Sequence, residues 1–167
     1  GHGFAEIALD PVALITEGEE GPAARAATAR AVALLGEGRS VIAHSSTGGD
    51  DPREAAVAEH FARSGMAAEA GRIQGGRALA TAAGGILRRV LEQVELERFV
   101  VSGGDTSTMA VRMLGVDALE MIAPLVPGAP LCRVLAPARR LDGRQVVLKG
   151  GQMGGPAFFS QIRAGRL

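Results

Sequence analysis

The spacing of apolar residues predicts five helices. Residues 76–96 carry the longest pattern, with apolar side chains every three to four positions. Gly84 and Gly85 interrupt this stretch. Each costs about 1 kcal/mol relative to alanine in a helix, so we expect tight packing or a kink there. The predicted helices cover residues 20–35, 51–61, 76–96, a segment that follows Ser107 and ends at Leu114, and 157–163.

Short apolar runs between these helices predict strands, at residues 40–44, 98–101, 119–122, 131–135 and 145–148. Alternating helices and strands are typical of an α/β domain, and we predict a mostly parallel sheet flanked by helices. Asp142 and Gly143 form a strong turn signal. We therefore expect an antiparallel hairpin near the C-terminus, in which 131–135 pairs with 145–148 around a longer loop.

Composition and charge restrict the function classes. A chain of 167 residues, 47% of them hydrophobic, suits a single domain. The 18 basic and 18 acidic side chains cancel, and there is no Tyr or Trp, so we expect no nucleic-acid partner. Since no apolar run reaches about 18 residues, we expect no membrane partner. The single cysteine, Cys132, is expected in the core and indicates a reducing, cytoplasmic location. The chain does not begin with Met, so we expect residues 1–167 to be one domain of a longer protein.

Three loops of small residues follow predicted strands, at 45–49, 102–107 and 150–155. Because parallel strands share one carboxyl edge, these loops are expected to meet there, where ligands of α/β sheets bind. Glycine lets backbone N–H groups approach a ligand, and a helix N-terminus favours anions. Hydroxyl donors are available from Ser45, Ser46, Thr106 and Ser107. The three loops together predict a phosphate site, although any one glycine pair by itself is more typical of a tight turn.

Three charged residues near these loops each have two interpretations. Lys149 is the only lysine among the 18 basic residues, and either supplies a point charge to phosphate or is an exposed strand-end lysine. Asp105 either caps the following helix or holds a phosphate-bound metal through water. Asp51 is interpreted as a helix cap rather than a magnesium ligand, because Pro52 and Glu54 complete a capping-box pattern with it.

Other chemistry is not supported by the motifs. Neither G-x-G-x-x-G nor G-x-x-x-x-G-K-[ST] occurs, which argues against a dinucleotide-dependent enzyme. His2, His44 and His60 lack metal-ligand spacing with Cys132 or with one another, so we predict no metal ligands in the chain. No catalytic residue is identified.

The segments 100–107, 111–116, 127–133 and 147–155 resemble the nucleotide-binding C-terminal domain of the four-carbon acid sugar kinases, and the similarity extends from about Val41 to Phe159. The resemblance implies a two-domain enzyme that transfers the γ-phosphoryl group of ATP, with Mg²⁺, to a hydroxyl of a tetronate or 3-oxo-tetronate type sugar acid. An N-terminal domain outside this chain would bind the sugar acid. The nucleotide-binding residues that the resemblance implies, with their loop neighbours, are Ser45, Ser46, Ser102, Gly103, Gly104, Asp105, Thr106, Lys149, Gly150, Gly151 and Gly154.

The chain departs from the family pattern at two places. Thr108 stands where the family usually has glycine, and Gln152-Met153 stands where it usually has Asn-Phe. Both departures lie in loops that the resemblance assigns to nucleotide binding, so they bear on how tightly a nucleotide binds and on the adenine pocket. They keep open an alternative, a non-catalytic ligand-sensing or assembly module that kept the fold and lost the ATP site. If the chain is the ATP-binding half, we expect it to bind nucleotide alone but to turn over little, because the catalytic base should lie in the other domain. The sequence leaves homo-oligomer formation open.

Overall fold

The computed structural model describes residues 3–137, 139–151 and 153–165, and these residues form six strands and six helices. The strands are β1 (Phe4–Ala8), β2 (Ser40–His44), β3 (Arg98–Ser102), β4 (Ala118–Val126), β5 (Ala129–Leu135) and β6 (Gln145–Lys149). The helices are α1 (Pro11–Glu17), α2 (Pro22–Gly36), α3 (Pro52–Arg63), α4 (Ala68–Gln93), α5 (Gly104–Leu114) and α6 (Phe158–Arg163).

The strands form two sheets in the described residues. β1 and β2 pair in parallel, and a second sheet has the order β3-β6-β5-β4. In the second sheet β3 and β6 are parallel, whereas β5 is antiparallel to both of its neighbours. Leu131 pairs with Val147 and Cys132 with Val146, which confirms the hairpin predicted near the C-terminus. The α/β class is therefore confirmed, with the parallel pairs divided between two sheets.

Two elements near the start of the chain were not predicted. In β1 the side chains of Ala5 and Ile7 are buried while Glu6 is exposed, which is the alternation of a half-buried strand. α1 begins with Pro11, and Asp10 caps it by accepting hydrogen bonds from the N–H groups of Val12 and Ala13. Both elements pack in the same core as α2 and α4.

Helix α4 begins at Ala68, eight residues before its predicted start. The prediction missed its first turns because they contain glycines, which have low helix propensity. Packing explains two of them. A Cβ on Gly71 would lie 2.7 Å from Phe61 Cβ, and one on Gly75 would lie 2.8 Å from Phe61 Cε2. Glycine at both positions lets the Phe61 ring of α3 lie against the α4 backbone.

Further along α4 the helix packs closely against α5. A Cβ on Gly84 would lie 2.7 Å from Met113 Sδ, so any side chain there would displace its neighbour. Of the two alternatives for the glycine pair, the structure shows tight packing within one continuous helix. α4 thereby joins the core under β1 to the core under β3, since Leu87 and Leu91 pack on the latter.

Cys132 lies in the core under β3, so its predicted core position is confirmed, and desolvation by burial raises the pKa of its thiol.

Among the residues that the structure describes, no helix combines the length and the hydropathy needed to cross a membrane.

Candidate functional site

The loops that follow β3 and β6 meet at the carboxyl ends of these parallel strands. The N–H of Gly103 donates to the carbonyl oxygen of Lys149 over 2.9 Å. The Lys149 Nζ donates in turn to Ser102 Oγ at 3.0 Å and to the Gly151 carbonyl at 3.2 Å. Two of the three predicted loops are therefore in direct contact.

Lys149 is buried, with 5% of its surface exposed, so the interpretation as an exposed lysine is wrong. Its Nζ lies 5.7 Å and 5.8 Å from the ring centroids of Phe158 and Phe159. Within the described residues no carboxylate lies within ion-pair distance of it. A buried cation is costly unless it is paired. One hydroxyl, one carbonyl and two ring faces compensate this charge only partly, so the position suits an anionic ligand.

The first turn of α5 leaves its backbone donors without a side-chain cap. Gly103 is the N-cap, with φ 110° and ψ 131°, and no side chain bonds to the N–H groups of the first turn. The helix starts at Gly104, ahead of the predicted start. A Cβ on Gly104 or on Gly151 would meet no atom within 4 Å, so space is open beside both. An uncapped helix start with open space is a ready anion site.

The structure separates the polar side chains of this first turn. Asp105 lies inside the helix and is not its cap, so the capping interpretation is wrong. Ser107 is buried and donates to the carbonyl of Val101 at 3.3 Å, which removes it from the predicted donors. Thr106 is half-buried, and Thr108 is exposed with its hydroxyl bonded to the Gly104 carbonyl at 3.0 Å. The Thr108 departure thus occupies the outer face of the turn.

The 150–155 loop turns against α6. Gly154 has a φ of +83°, and a Cβ there would lie 2.7 Å from Phe158 Cδ2, so glycine is needed for both reasons. A Cβ on Gly150 would lie 3.3 Å from Met153 Cγ. Gln152, which together with Met153 departs from the usual Asn-Phe of the family pattern, lies outside the described residues.

The first loop, residues 45–51, is held by an ion pair. The Arg53 guanidinium binds the Asp51 carboxylate, with 2.6 Å between Nη2 and Oδ2. Arg53 Nη1 also donates to the carbonyls of Leu9, which follows β1, and of His44, the last residue of β2. The hydrogen bonds from Arg53 hold the pKa of the Asp51 carboxyl well below its usual range. Arg53 was not singled out from the sequence, since only the fold brings these carbonyls to it.

The predicted cap of α3 is confirmed, but the capping box is not closed. Asp51 Oδ1 accepts from the N–H of Arg53 at 3.0 Å, whereas the Asp51 N–H donates to the Gly48 carbonyl. The Glu54 carboxylate, which would complete a box, instead accepts from Ser46 Oγ at 2.5 Å. The hydroxyl of Ser46 is thereby engaged, whereas that of Ser45 has no hydrogen-bond partner among the described residues.

A cleft of about 660 Å³ lies between α3 and α4. Ser45 and Ser46 border it, as does Gly76 on α4. A Cβ on Gly76 would lie 3.8 Å from Asp105 Oδ2, so this part of the cleft lining lies near the Asp105 side chain of α5. The 45–49 loop follows β2, which lies in the other sheet, so it does not share the sheet edge at which the other two predicted loops meet. Its residues Ser45 and Ser46 line the cleft instead. The role of all these residues in nucleotide binding stays a prediction.

Across the described part of the chain, no group of three or more His, Cys, Asp or Glu side chains could hold a metal ion.

Comparison with known proteins assigns the chain to a family. A family model described as the nucleotide-binding C-terminal domain matches residues 2–159. The chain is 45% identical to the 3-oxo-isoapionate kinase of Paraburkholderia graminis, over 99% of the chain and 34% of that protein. It is 35% identical to the 3-oxo-tetronate kinase of Cupriavidus necator, over 96% of the chain and 32% of that protein.

The solved structure of a Haemophilus influenzae protein shares the fold, with a TM-score of 0.74 and 19% identity over 98% of this chain and 35% of that one. The chain spans about a third of the length of the curated relatives. Both the family model and the relatives agree with the resemblance found in the loops after β3 and β6. The chain belongs to the four-carbon acid sugar kinase family, as a nucleotide-binding C-terminal domain.

Proposed function

We propose that this chain is the ATP-binding part of a kinase that phosphorylates a four-carbon sugar acid. The observation that carries the proposal is the burial of Lys149 without a carboxylate partner among the described residues, beside the uncapped start of α5. The predicted loops supply hydrogen-bond donors and a cation around open space at Gly104 and Gly151. These are the groups that phosphate oxygens need.

The residues of the site fit a bound nucleotide with its metal ion. A bound ATP would supply the phosphoryl group, and Mg²⁺ would neutralise negative charge on its phosphates. The first-turn N–H groups of α5, at Gly104 to Thr106, would bind phosphate oxygens, and Lys149 would balance their charge. Asp105 is exposed in this turn, where its carboxylate would hold the metal ion through water. These groups would position the phosphates through hydrogen bonds and charge, without a covalent bond between protein and phosphate.

The sugar-acid substrate is proposed from the relatives, which are named as kinases of 3-oxo-isoapionate and 3-oxo-tetronate. In the proposed reaction the substrate hydroxyl forms a bond to the γ-phosphorus. The bond from that phosphorus to the β–γ bridging oxygen breaks, ADP leaves, and the hydroxyl proton passes to a base. We place this base and the sugar-acid site outside the chain, since the chain spans about a third of these relatives. The chain alone should therefore bind ATP with little turnover.

Titration calorimetry with ATP and Mg²⁺ tests the proposal. The chain should bind, and Lys149→Met, which keeps an unbranched side chain and removes the charge, should weaken binding by at least about 100-fold, or about 2.7 kcal/mol. Arg112→Met is the matched control, because Arg112 is an exposed cation in the last turn of α5, at the other end of the helix.

Absence of ATP binding by the unaltered chain would contradict the proposal and leave the ligand-sensing or assembly module as the better hypothesis. Equal weakening by both variants would contradict the role given to Lys149.

A further inference from the structure

The cleft between α3 and α4 was not anticipated from the sequence. We infer that it takes the base and ribose of the nucleotide, while the phosphates extend to the start of α5. This inference rests on the proposed function and assigns a part of the ligand that the phosphate loops cannot hold. It is carried by the volume of the cleft, its lining and the proximity of that lining to Asp105.

The floor of the cleft is built by close packing of the two helices. The Phe61 ring, 5% exposed, lies against the backbone of α4 at Gly71 and Gly75. A side chain at either glycine would collide with this ring. The volume of about 660 Å³ lies in the range of sites for small molecules.

The walls of the cleft suit a flat, mostly apolar ring system. Alanines at positions 58, 62 and 68 are exposed and leave the space between the helices open. Apolar walls with a few polar groups at the rim are typical of ligand pockets. Apart from these alanines, the apolar side chains that line the cleft include Ile15, Val57, Met66 and Leu79.

The polar groups lie where a nucleoside would need them. Among the lining residues, Ser45 has a hydroxyl with no partner among the described residues, and Ser46 is held by Glu54. On α4 the lining includes Gly76, next to Asp105, and one turn earlier Arg72. Arg72 is paired with Glu69 at 2.9 Å. A base in the cleft thus has a cation and the uncapped α5 N-terminus on the side toward which its phosphates must extend.

Filling the cleft tests the inference. Ala58→Trp places a large ring in the cleft from an exposed position, so it should not disturb the core. Ala55→Trp is the matched control, because Ala55 is also exposed on α3 but does not line the cleft. Binding of ATP and of inorganic tripolyphosphate, both with Mg²⁺, is measured by calorimetry, and folding is checked by thermal melting.

The expected result is that Ala58→Trp weakens ATP binding at least tenfold, leaves tripolyphosphate binding unchanged, and melts like Ala55→Trp. Unchanged ATP affinity in Ala58→Trp would overturn the inference while leaving the proposed function intact. Equal weakening of ATP and tripolyphosphate would also overturn it, because the cleft would then affect the phosphates. If the unaltered chain binds neither ligand, the proposed function itself fails.

Discussion

Two strand-to-helix loops of this chain are both rich in small residues, but only one of them caps the helix that follows it. The 45–51 loop before α3 and the 102–104 loop before α5 each join a strand to a helix, and small residues predominate in both. Before α3, the Asp51 carboxylate accepts from the N–H and hydroxyl of Thr47 and caps the helix. Before α5, no side chain caps the helix, and the nearest buried charge is the cation of Lys149.

This difference in capping supports one of the two helix starts as the proposed anion site. A helix N-terminus attracts negative charge, and at α3 this charge is already supplied by Asp51 with Glu54 close behind it. A phosphate there would be repelled by both carboxylates. At α5 only the exposed Asp105 compensates the same positive end of the helix dipole, which is why we propose that the phosphates bind there. The first loop then contributes the Ser45 hydroxyl and a wall of the cleft.

The largest effect is expected from closing the open space at α5. Gly104→Val should weaken ATP binding by at least about 100-fold, because the added side chain occupies the space beside the first-turn N–H groups. Its melting temperature should stay within a few degrees, since the Cβ meets no atom within 4 Å and φ is not positive. Calorimetry and thermal melting measure both.

Gly49→Val in the first loop is the matched control, because a Cβ there also meets nothing within 4 Å. If ATP affinity is retained in Gly49→Val and lost in Gly104→Val, the anion site belongs to the loop before α5 and not to the loop before α3. Equal loss of affinity in both variants would contradict this difference between the two loops.

An intermediate effect is expected on stability from Asp51→Asn. The pKa of Asp51 is lowered from its ordinary value of 3.8, chiefly by the hydrogen bonds from Arg53, so the ion pair stabilises the folded chain above that value. This stability is lost as the pH falls below about 4 toward the lowered pKa. Asp51→Asn should therefore lower the melting temperature by about 2–8 °C at pH 7, with a smaller difference at pH 3.

Melting curves at several pH values measure this difference, and Asp50→Asn is the control because Asp50 is exposed and forms no ion pair with the described residues. A difference that stays constant from pH 7 to pH 2 would contradict the role of the Asp51 charge.

The smallest effect is expected from the two serines of the first loop. Ser45→Ala should weaken ATP binding about three- to tenfold, the size of one hydrogen bond, without changing the melting temperature. Ser46→Ala should instead lower the melting temperature by a few degrees, because it removes the hydrogen bonds to Glu54 and from the Gly48 N–H. The reverse pattern, with Ser46 controlling affinity and Ser45 stability, would contradict the assignment of the two hydroxyls.

Local sequence signals predicted most of the helices and strands. β2 was predicted at its observed bounds, and apolar runs located β5 and the start of β6. The turn signal at Asp142-Gly143 predicted that these two strands pair antiparallel. β1 and α1 were missed although their signals were present, namely the alternation of Phe4–Ala8 and the Asp10-Pro11 start. The start of α4 was missed for another reason. Its glycines disfavour a helix locally, and only contact with Phe61 explains them.

What the sequence alone determined about this protein is the family, the α/β class and the loops that form the candidate site, because strands, caps and glycine turns depend on neighbouring residues. Tertiary structure alone decided which donors are engaged, since hydrogen bonds between distant groups cannot be read from local spacing. It buried Lys149, turned Ser107 toward Val101, and brought Arg53 to the carbonyls of Leu9 and His44. It also opened the cleft between α3 and α4, because a concave surface exists only once two helices have packed.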